Sequence, residues 1–185
     1  MNNDIKKFPI KDFDFSFVDT ETTGPDLRHE LTEIGLIKVS SYNFSVLEEW
    51  ETKIKPKHIE LADPEALKIN HYKEEDWRDA LELETAMKIF LEKTANTILV
   101  GHNLLFDWFH INKALEECDL EPTFHYKGLD TFSLGWQKLR HLPNFPKLSL
   151  SEMAKHFDIK QEKPHSALDD TRTTYKVFLK LMEYK

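Results

Sequence analysis

The amino-acid sequence predicts an α/β fold in which helices flank a mixed β-sheet. Three consecutive strand patterns fill residues 13–54, and helix and strand patterns alternate over the rest of the chain. A run of strands followed by such alternation is typical of a sheet whose first strands are antiparallel and whose faces carry helices. The 185 residues contain no glycine/serine linker and no internal repeat, so we expect a single domain over residues 1–185.

The amino-terminal strands are predicted from two kinds of pattern. Residues 13–24 begin with alternating phenylalanines, and we expect this strand to end near Gly24. Residues 31–39 are rich in Ile, Leu and Val, and residues 44–54 alternate again between apolar and polar side chains. Because only a short segment containing Ser41, Tyr42 and Asn43 separates the second and third patterns, they are predicted to form a hairpin, which gives three antiparallel strands in succession.

The later elements are predicted from helical spacing and short apolar runs. Strands are expected at residues 97–100 and 129–131, and helices at residues 64–67, 80–91, 104–115, 132–140, 149–157 and 167–182. The last helix has the clearest pattern, because apolar residues from Ala167 to Met182 fall on one face. Asn103 is suited to cap the helix that follows it, and Ser166 with Asp169 resembles a capping box at the start of the last helix.

Composition and charge exclude several classes of protein. The single cysteine, Cys118, excludes an intramolecular disulfide framework and a cysteine-rich zinc module. No run of 18 or more apolar residues and no signal-peptide pattern is present, so we expect a cytoplasmic protein without a membrane partner. The net charge of -8 argues against a broad basic surface for polyanions. Carboxylates loaded with divalent cations would still attract phosphate, because bound cations invert the local field.

The first candidate for chemistry is a pair of acids at the end of the first strand. Asp19 and Glu21 stand two residues apart, so the pleat directs both carboxylates to the same face of the sheet. Oxygen ligands of this kind suit Mg²⁺ or Mn²⁺ better than zinc. The alternative is a solvated strand end with two incidental acids, and for an isolated pair that is the more common situation.

Two further motifs place acids at helix starts. Asn103 and Asp107 are four residues apart and are expected to share a helical face that points back toward the sheet edge. Alternatively, Asp107 only complements the helix dipole. At the start of the last helix, a capping role for Asp169 leaves Asp170 available as a ligand. His165 stands just before the cap, so its imidazole would be a proton acceptor near Asp170. For His165 taken alone, an ordinary surface histidine is the more common situation.

The ordered set of motifs resembles the DEDDh, or DnaQ-like, 3'-5' exonuclease family. The matching segments are residues 17–24, 33–35, 66–70, 101–107, 129–131, 147–150 and 165–170. The resemblance spans nearly the whole chain, but His71 stands where the family usually has glycine. A sister family carries tyrosine one position after the histidine, where this chain has Ser166. The histidine branch is therefore indicated.

The resemblance implies a ribonuclease H-like fold with a sheet of five to six strands, three antiparallel and then parallel ones, flanked by helices. It implies His165 as the general base. The implied ligands of two Mg²⁺ or Mn²⁺ ions are Asp19, Glu21, Asp107 and Asp170. The implied lining of the pocket for the terminal nucleotide is Thr22, Thr23, Asn103 and Phe106. A core aromatic is an equally good interpretation of Phe106.

The resulting expectation is a metal-dependent enzyme that releases 5'-mononucleotides from the 3' end of single-stranded nucleic acid, with DNA favoured. An RNA-trimming enzyme of the ribonuclease T or oligoribonuclease kind is the first alternative, because no residue indicates how the 2'-hydroxyl is read. A non-catalytic docking module and a small-molecule phosphodiesterase are more distant alternatives. A proofreading enzyme that associates with a polymerase is a further alternative, although the chain stops just after the last helix pattern and shows no tail for binding a polymerase.

The most basic segment near the expected site spans residues 138–147. Its basic residues are Lys138, Arg140, His141 and Lys147. They either carry the incoming strand or lie on a solvated surface, and for any one of them the solvated surface is the more common situation.

Overall fold

A computed structural model describes residues 10–143 and 147–184 of the protein. Within these ranges the strands are β1 (Asp14–Thr22), β2 (Leu31–Val39), β3 (Val46–Lys53), β4 (Thr97–Gly101) and β5 (Gly128–Asp130). They form one five-stranded sheet in the order β3-β2-β1-β4-β5. The first three strands are antiparallel, whereas β4 runs parallel to β1 and β5 parallel to β4. The predicted mixed sheet is confirmed.

The helices cover both faces of this sheet. They are α1 (Pro64–Ile69), α2 (Leu83–Thr94), α3 (Leu104–Glu117), α4 (Thr131–Leu139), α5 (Leu150–His156) and α6 (Ala167–Glu183). Side chains along β1 point alternately to the two faces of the sheet. Val18 packs on one face in a core with α2 and α3, while its neighbour Phe17 packs on the other face in a core with α6. In the described ranges, every helix is too short or too polar to span a bilayer.

Several element boundaries differ from the sequence prediction. Phe44 adopts a φ of 56° in the hairpin turn and lies outside β3. Ile54 makes only an isolated bridge to Leu81. Ala80 precedes α2, and Met182 is 54% exposed, so the apolar face of α6 ends before it. Helix and strand ends are decided by turns and tertiary pairing, which the periodic pattern does not contain.

The predicted cap of α3 is wrong. Asn103 adopts a left-handed conformation with a φ of 61° and makes no side-chain cap. Instead, Asp130 accepts the Leu104 backbone N–H at 2.6 Å through Oδ2, and it caps α4 at the Ser133 N–H through Oδ1 at 2.7 Å. Asn103 is exposed and Asp107 is buried, so the two do not share a helical face.

The predicted capping box at the start of α6 is also wrong. Ser166 is the N-cap residue but makes no side-chain cap, and Asp169 pairs with Arg172 at 2.8 Å. A capping box does occur at α5, where Ser149 and Glu152 bond reciprocally. The amino end of α6 is capped instead from β2, where Glu33 accepts the Ala167 N–H.

Candidate active site

Asp19 and Glu21 lie where β1 extends past its parallel neighbour. β4 pairs with β1 only from Asp14 to Phe17, and past that point the described structure gives β1 a strand partner only on the β2 side. Because side chains alternate along a strand, Asp19 and Glu21 share with Phe17 the face that α6 covers. The two carboxylates therefore project into the space between the strand end and the start of α6.

Asp107 reaches the same edge from α3, in the layer on the other face of the sheet. It is 3% exposed, and its Oδ1 accepts hydrogen bonds from the Thr20 backbone N–H at 2.9 Å and the Thr20 hydroxyl at 2.8 Å. Buried backbone N–H groups need a partner, and here the carboxylate takes the place of a strand. Tertiary hydrogen bonds thus fix Asp107, in addition to the favourable helix dipole.

Gly35 allows the start of α6 to approach the sheet beside Asp19. It pairs with Asp19 across the β1–β2 ladder. A Cβ at Gly35 would lie 2.3–2.4 Å from backbone atoms of Ala167 and Leu168. The absence of a side chain therefore lets the helix backbone lie directly on β2, which carries Asp170 to the edge where Asp19 lies.

Asp170 and His165 are joined at the first turn of α6. Asp170 is 9% exposed, and its Oδ2 accepts the backbone N–H of His165 at 2.8 Å. His165 is exposed and adopts a φ of 65°, which is uncommon for a residue other than glycine. Ligand atoms of Glu21, His165 and Asp170 lie within 4.8 Å of one another. A solvent-accessible imidazole and two carboxylates therefore face the same small volume.

Glu33 holds the segment that carries His165. It lies opposite Glu21 on β2 and is 8% exposed. Its Oε1 accepts the Ala167 N–H at 3.1 Å. Glu33 is thus the residue that caps α6. In the sequence, Glu33 stands out only as part of the matching segment 33–35, although a lone acid inside an apolar strand is itself a signal of a specific partner.

Burial raises the pKa values of the clustered carboxyls. At Asp19 burial is the largest cause, nearby carboxylates add to it, and the pKa lies well above its usual range. Burial, with repulsion from neighbouring acids, raises the pKa of Glu21 to about 8. Burial raises the pKa of Asp107 to about 7, against hydrogen bonds from the Thr20 hydroxyl and from backbone N–H groups that lower it. Burial also raises the pKa of Asp170, opposed by the N–H of His165.

This set of donors fits divalent cations. The described ranges contain no ion pair between a lysine or arginine and any of the carboxylates Asp19, Glu21, Asp107 and Asp170. Their mutual repulsion needs a counter-charge, and carboxylate oxygens are the ligands that Mg²⁺ and Mn²⁺ prefer. The residues present therefore fit such ions.

The four residues expected to line a nucleotide pocket have different surroundings. Thr22, the last residue of β1, and Thr23 are buried. The Thr22 hydroxyl donates to the Gly24 carbonyl at 2.6 Å, and Thr23 Oγ1 accepts the Glu30 N–H at 2.9 Å. Their hydroxyls therefore shape the turn. Asn103 and Phe106 lie at the start of α3, where Asn103 is exposed and Phe106 is half-buried.

Comparison with known proteins agrees with this geometry. The exonuclease family model, RNase_T, matches residues 16–178. A PolC-type DNA polymerase III of Caldanaerobacter subterraneus is 29% identical over 171 residues, which make up 92% of this chain and 12% of that protein. The chain therefore corresponds to a small part of that polymerase.

Solved structures show the same fold. The complex of E. coli exonuclease I with a dT13 oligonucleotide superposes with a TM-score of 0.77 at 18% identity, over 92% of this chain and 40% of that one. The nuclease domain of 3'hExo, a DEDDh family member bound to rAMP, superposes with a TM-score of 0.76 at 14% identity, over 92% of both chains. The ribonuclease H-like fold is confirmed. The family match and the order of the motifs place this chain in the DEDDh (DnaQ-like) family of 3'-5' exonucleases.

Proposed function

We propose that the chain is a metal-dependent exonuclease that shortens single-stranded DNA from its 3' end and releases 5'-mononucleotides. The convergence of acids from β1, α3 and α6 beside the exposed His165 carries this proposal. The oligonucleotide bound to exonuclease I and the polymerase in which a relative of this chain occurs both favour a DNA substrate.

The proposed cation ligands are Asp19, Glu21, Asp107 and Asp170, which would hold two Mg²⁺ or Mn²⁺ ions. When bound, such cations supply stabilisation of the negative charge that develops on the phosphate oxygens during an in-line displacement. The remaining chemistry is assigned to side chains of this protein.

His165 is proposed to accept a proton from the attacking water. The water oxygen forms a bond to the terminal phosphorus, and the bond from phosphorus to the 3'-oxygen of the preceding nucleotide breaks. The imidazole holds the proton of the water, and the departing 3'-oxygen takes up a proton from solvent. Asp170 and Glu33 hold the backbone from which the ring extends, since they bond the N–H groups of His165 and Ala167.

RNA trimming is the second candidate function. The structural neighbour 3'hExo was solved with rAMP, a ribonucleotide. The same carboxylates and histidine would serve both sugars, because the 2'-hydroxyl is read by other contacts. A polymerase is a candidate partner by analogy with the PolC-type relative.

The test is incubation of the full chain with 5'-fluorescein-labelled (dT)15, (rU)15 and short oligoribonucleotides in Mg²⁺, in Mn²⁺ and in EDTA. We expect a ladder of products shortened from the 3' end, release of 5'-mononucleotides in chromatography, and no products in EDTA. Faster degradation of (rU)15 would select the second candidate. Products shortened from the 5' end, or unchanged hydrolysis in EDTA, would contradict the proposal.

A further inference from the structure

The exposed side of α4 carries aromatic side chains in line with an arginine. Phe132, Trp136 and Arg140 follow one another at intervals of four residues, so they lie on one face of the helix. Phe132 is 39% exposed and Trp136 is 52% exposed. We call these three residues the α4 stripe. The opposite side of the helix is buried through Thr131, Gly135 and Leu139.

The arginine of the α4 stripe is held over the indole ring. Its guanidinium carbon lies 4.4 Å from the centre of the Trp136 ring. Nη1 donates to the carbonyl of Gln137 at 2.7 Å, which fixes this arrangement, and the described structure gives Nη2 no protein partner. The guanidinium therefore covers one face of the indole ring, and Nη2 is the donor left for a phosphate.

The α4 stripe starts at the edge of the sheet that carries the acids. Two residues separate β4 from α3, which bears Asp107, and α4 begins directly after β5, so both helices start at the same end of these parallel strands. Asp130 joins the two starts, since its carboxylate accepts the N–H groups of Leu104 and Ser133 at 2.6 and 2.7 Å. The stripe therefore leads from the candidate site outward along α4.

The segment around α4 has a charge opposite to that of the rest of the chain. Residues 122–151 contain one acid, Asp130, whose carboxylate is occupied by the two helix caps. The cations of this segment are Lys127, Lys138, Arg140 and Lys147. Lys138 donates to the carbonyl of Tyr184, so Arg140 is the cation of this segment that lies at the exposed rings of the α4 stripe. In a protein of net charge -8, a segment with an excess of cations that also exposes aromatic rings is typical of a surface that binds single-stranded nucleic acid.

We propose that the α4 stripe binds the part of the single strand upstream of the terminal nucleotide. Bases stack on Phe132 and Trp136, and Arg140 donates to a backbone phosphate. The inference rests on the proposed function, because it assumes that the 3' end occupies the carboxylate cluster. The cations and the arginine stacked on tryptophan favour a nucleic acid over an apolar protein partner as the occupant.

The test compares long and short substrates in the variants Phe132→Ala, Trp136→Ala and Arg140→Ala. For (dT)15 we expect KM to rise by about five- to hundredfold on loss of one stacking ring, with kcat unchanged. For a thymidine dinucleotide we expect no change in either constant, because it does not extend to the stripe. In Arg140→Ala, the plot of log affinity for (dT)15 against log salt should become shallower by about 0.7.

Matched controls separate a local role from a general loss of charge or aromatic surface. Tyr42→Ala removes a ring that is 93% exposed in the β2–β3 turn, and Lys88→Ala removes a cation from α2 on the opposite face of the sheet. Both should keep wild-type KM for (dT)15. Melting temperatures report whether each variant is folded.

Fluorescence anisotropy of labelled (dT)15 in EDTA keeps the two proposals apart. Wild-type hydrolysis with unchanged KM in all three stripe variants would overturn the stripe and leave the proposed function standing, and the stripe would then be assigned to a protein partner. Equal losses on the dinucleotide and on (dT)15 would also overturn it. Binding of (dT)15 that depends on Trp136, without any hydrolysis, would overturn the proposed function and support the stripe.

Discussion

Asp169 and Asp170 are neighbours in the chain with opposite surroundings. Asp170 is 9% exposed and bonds the N–H of His165, whereas Asp169 pairs with Arg172, which also pairs with Glu49 on β3. A change at one position therefore tests the site, and the same change at the other tests only a partly buried ion pair. The adjacent residue provides the matched control.

Asp170→Asn should abolish hydrolysis and leave the protein folded, because an amide removes an anionic cation ligand but keeps an oxygen that accepts the N–H of His165. Asp169→Asn should keep wild-type rates and lose less than about 1 kcal/mol of stability, as expected for a partly exposed ion pair. Rates on labelled oligonucleotide and urea unfolding measure the two effects. Full activity of Asp170→Asn in Mg²⁺ would contradict the proposed ligand set.

His165→Ala should lower kcat by roughly 10²- to 10⁴-fold, the usual contribution of a general base. Cation binding, measured as the rise in melting temperature on adding Mn²⁺, should persist because the carboxylates remain. The control His58→Ala removes an exposed histidine that bonds Glu60 at 3.2 Å, and it should leave the rate unchanged. An unchanged rate in His165→Ala would remove this residue from the mechanism.

Glu33 is expected to act as a positioning residue, because it accepts the N–H of Ala167, two residues after His165. Glu33→Ala should lose about 1 kcal/mol of stability through the missing cap and should lower kcat more than it changes KM. Glu33→Gln keeps an oxygen that accepts the Ala167 N–H, so it should restore most of kcat. Equal losses of kcat in both variants would instead indicate a direct role for the negative charge.

At the scale of elements, the site depends on where strands stop and helices start. β4 is shorter than β1 on the site side, and Asp107 of α3 occupies the position that a longer strand would fill. α6 lies on β2 without an intervening side chain at Gly35. The acids converge because these ends coincide at one edge of the sheet.

Gly35→Ala should displace the start of α6. The added methyl would lie 2.3–2.4 Å from backbone atoms, which cannot rotate away, so we expect a loss of about 1–3 kcal/mol of stability together with a fall in kcat. The matched control is Gly135→Ala in α4, where the nearest atom is the flexible Met153 sulfur at 2.6 Å and alanine favours a helix. A stable and fully active Gly35→Ala variant would show that α6 tolerates a shift.

At the scale of the whole molecule, the buried acids oppose folding when no cation is present. A carboxyl whose pKa is higher in the folded than in the unfolded chain stabilises the fold at low pH, and this contribution is lost as pH rises through the folded pKa. Glu21 has this property, because its pKa rises from 4.5 to about 8. His110 has the opposite effect on stability: burial lowers its pKa from 6.5 to about 4, so its contribution to stability is lost as pH falls below 6.5. Above pH 6.5 His110 is mostly neutral in both the folded and the unfolded chain, so the effect of the acids can be measured there by itself.

In EDTA, the melting temperature should fall as pH rises from 6.5 to 8, because folding then requires either bound protons or buried negative charge. Mn²⁺ should raise the melting temperature, and by more at pH 8 than at pH 6.5, since the cation replaces the protons. Differential scanning fluorimetry measures both slopes. Glu21→Gln should flatten the slope in EDTA, and a melting temperature that rises with pH in wild type would contradict the prediction.

Much of the fold was predictable because strands and helices leave local patterns. β2 spans the predicted residues 31–39, and the predicted hairpin and the order of the later elements agree with the structure. The connection between β2 and β3 is longer than predicted, because β3 begins only at Val46. The helix caps were not predictable in the same way. Asn103 and Ser166 have residue types that often cap helices, but Asp130 and Glu33 bond these helix starts from elsewhere in the chain.

The sequence by itself determined the kinds and order of elements, the family and the residues able to carry the chemistry, because periodicity and motif spacing are written in neighbouring positions. Only the tertiary structure decided which side chains meet. The contacts that define the site join residues 87 and 134 positions apart, Thr20 with Asp107 and Glu33 with Ala167. Such contacts exist only after the sheet edge and the helix ends have formed, so no local pattern contains them.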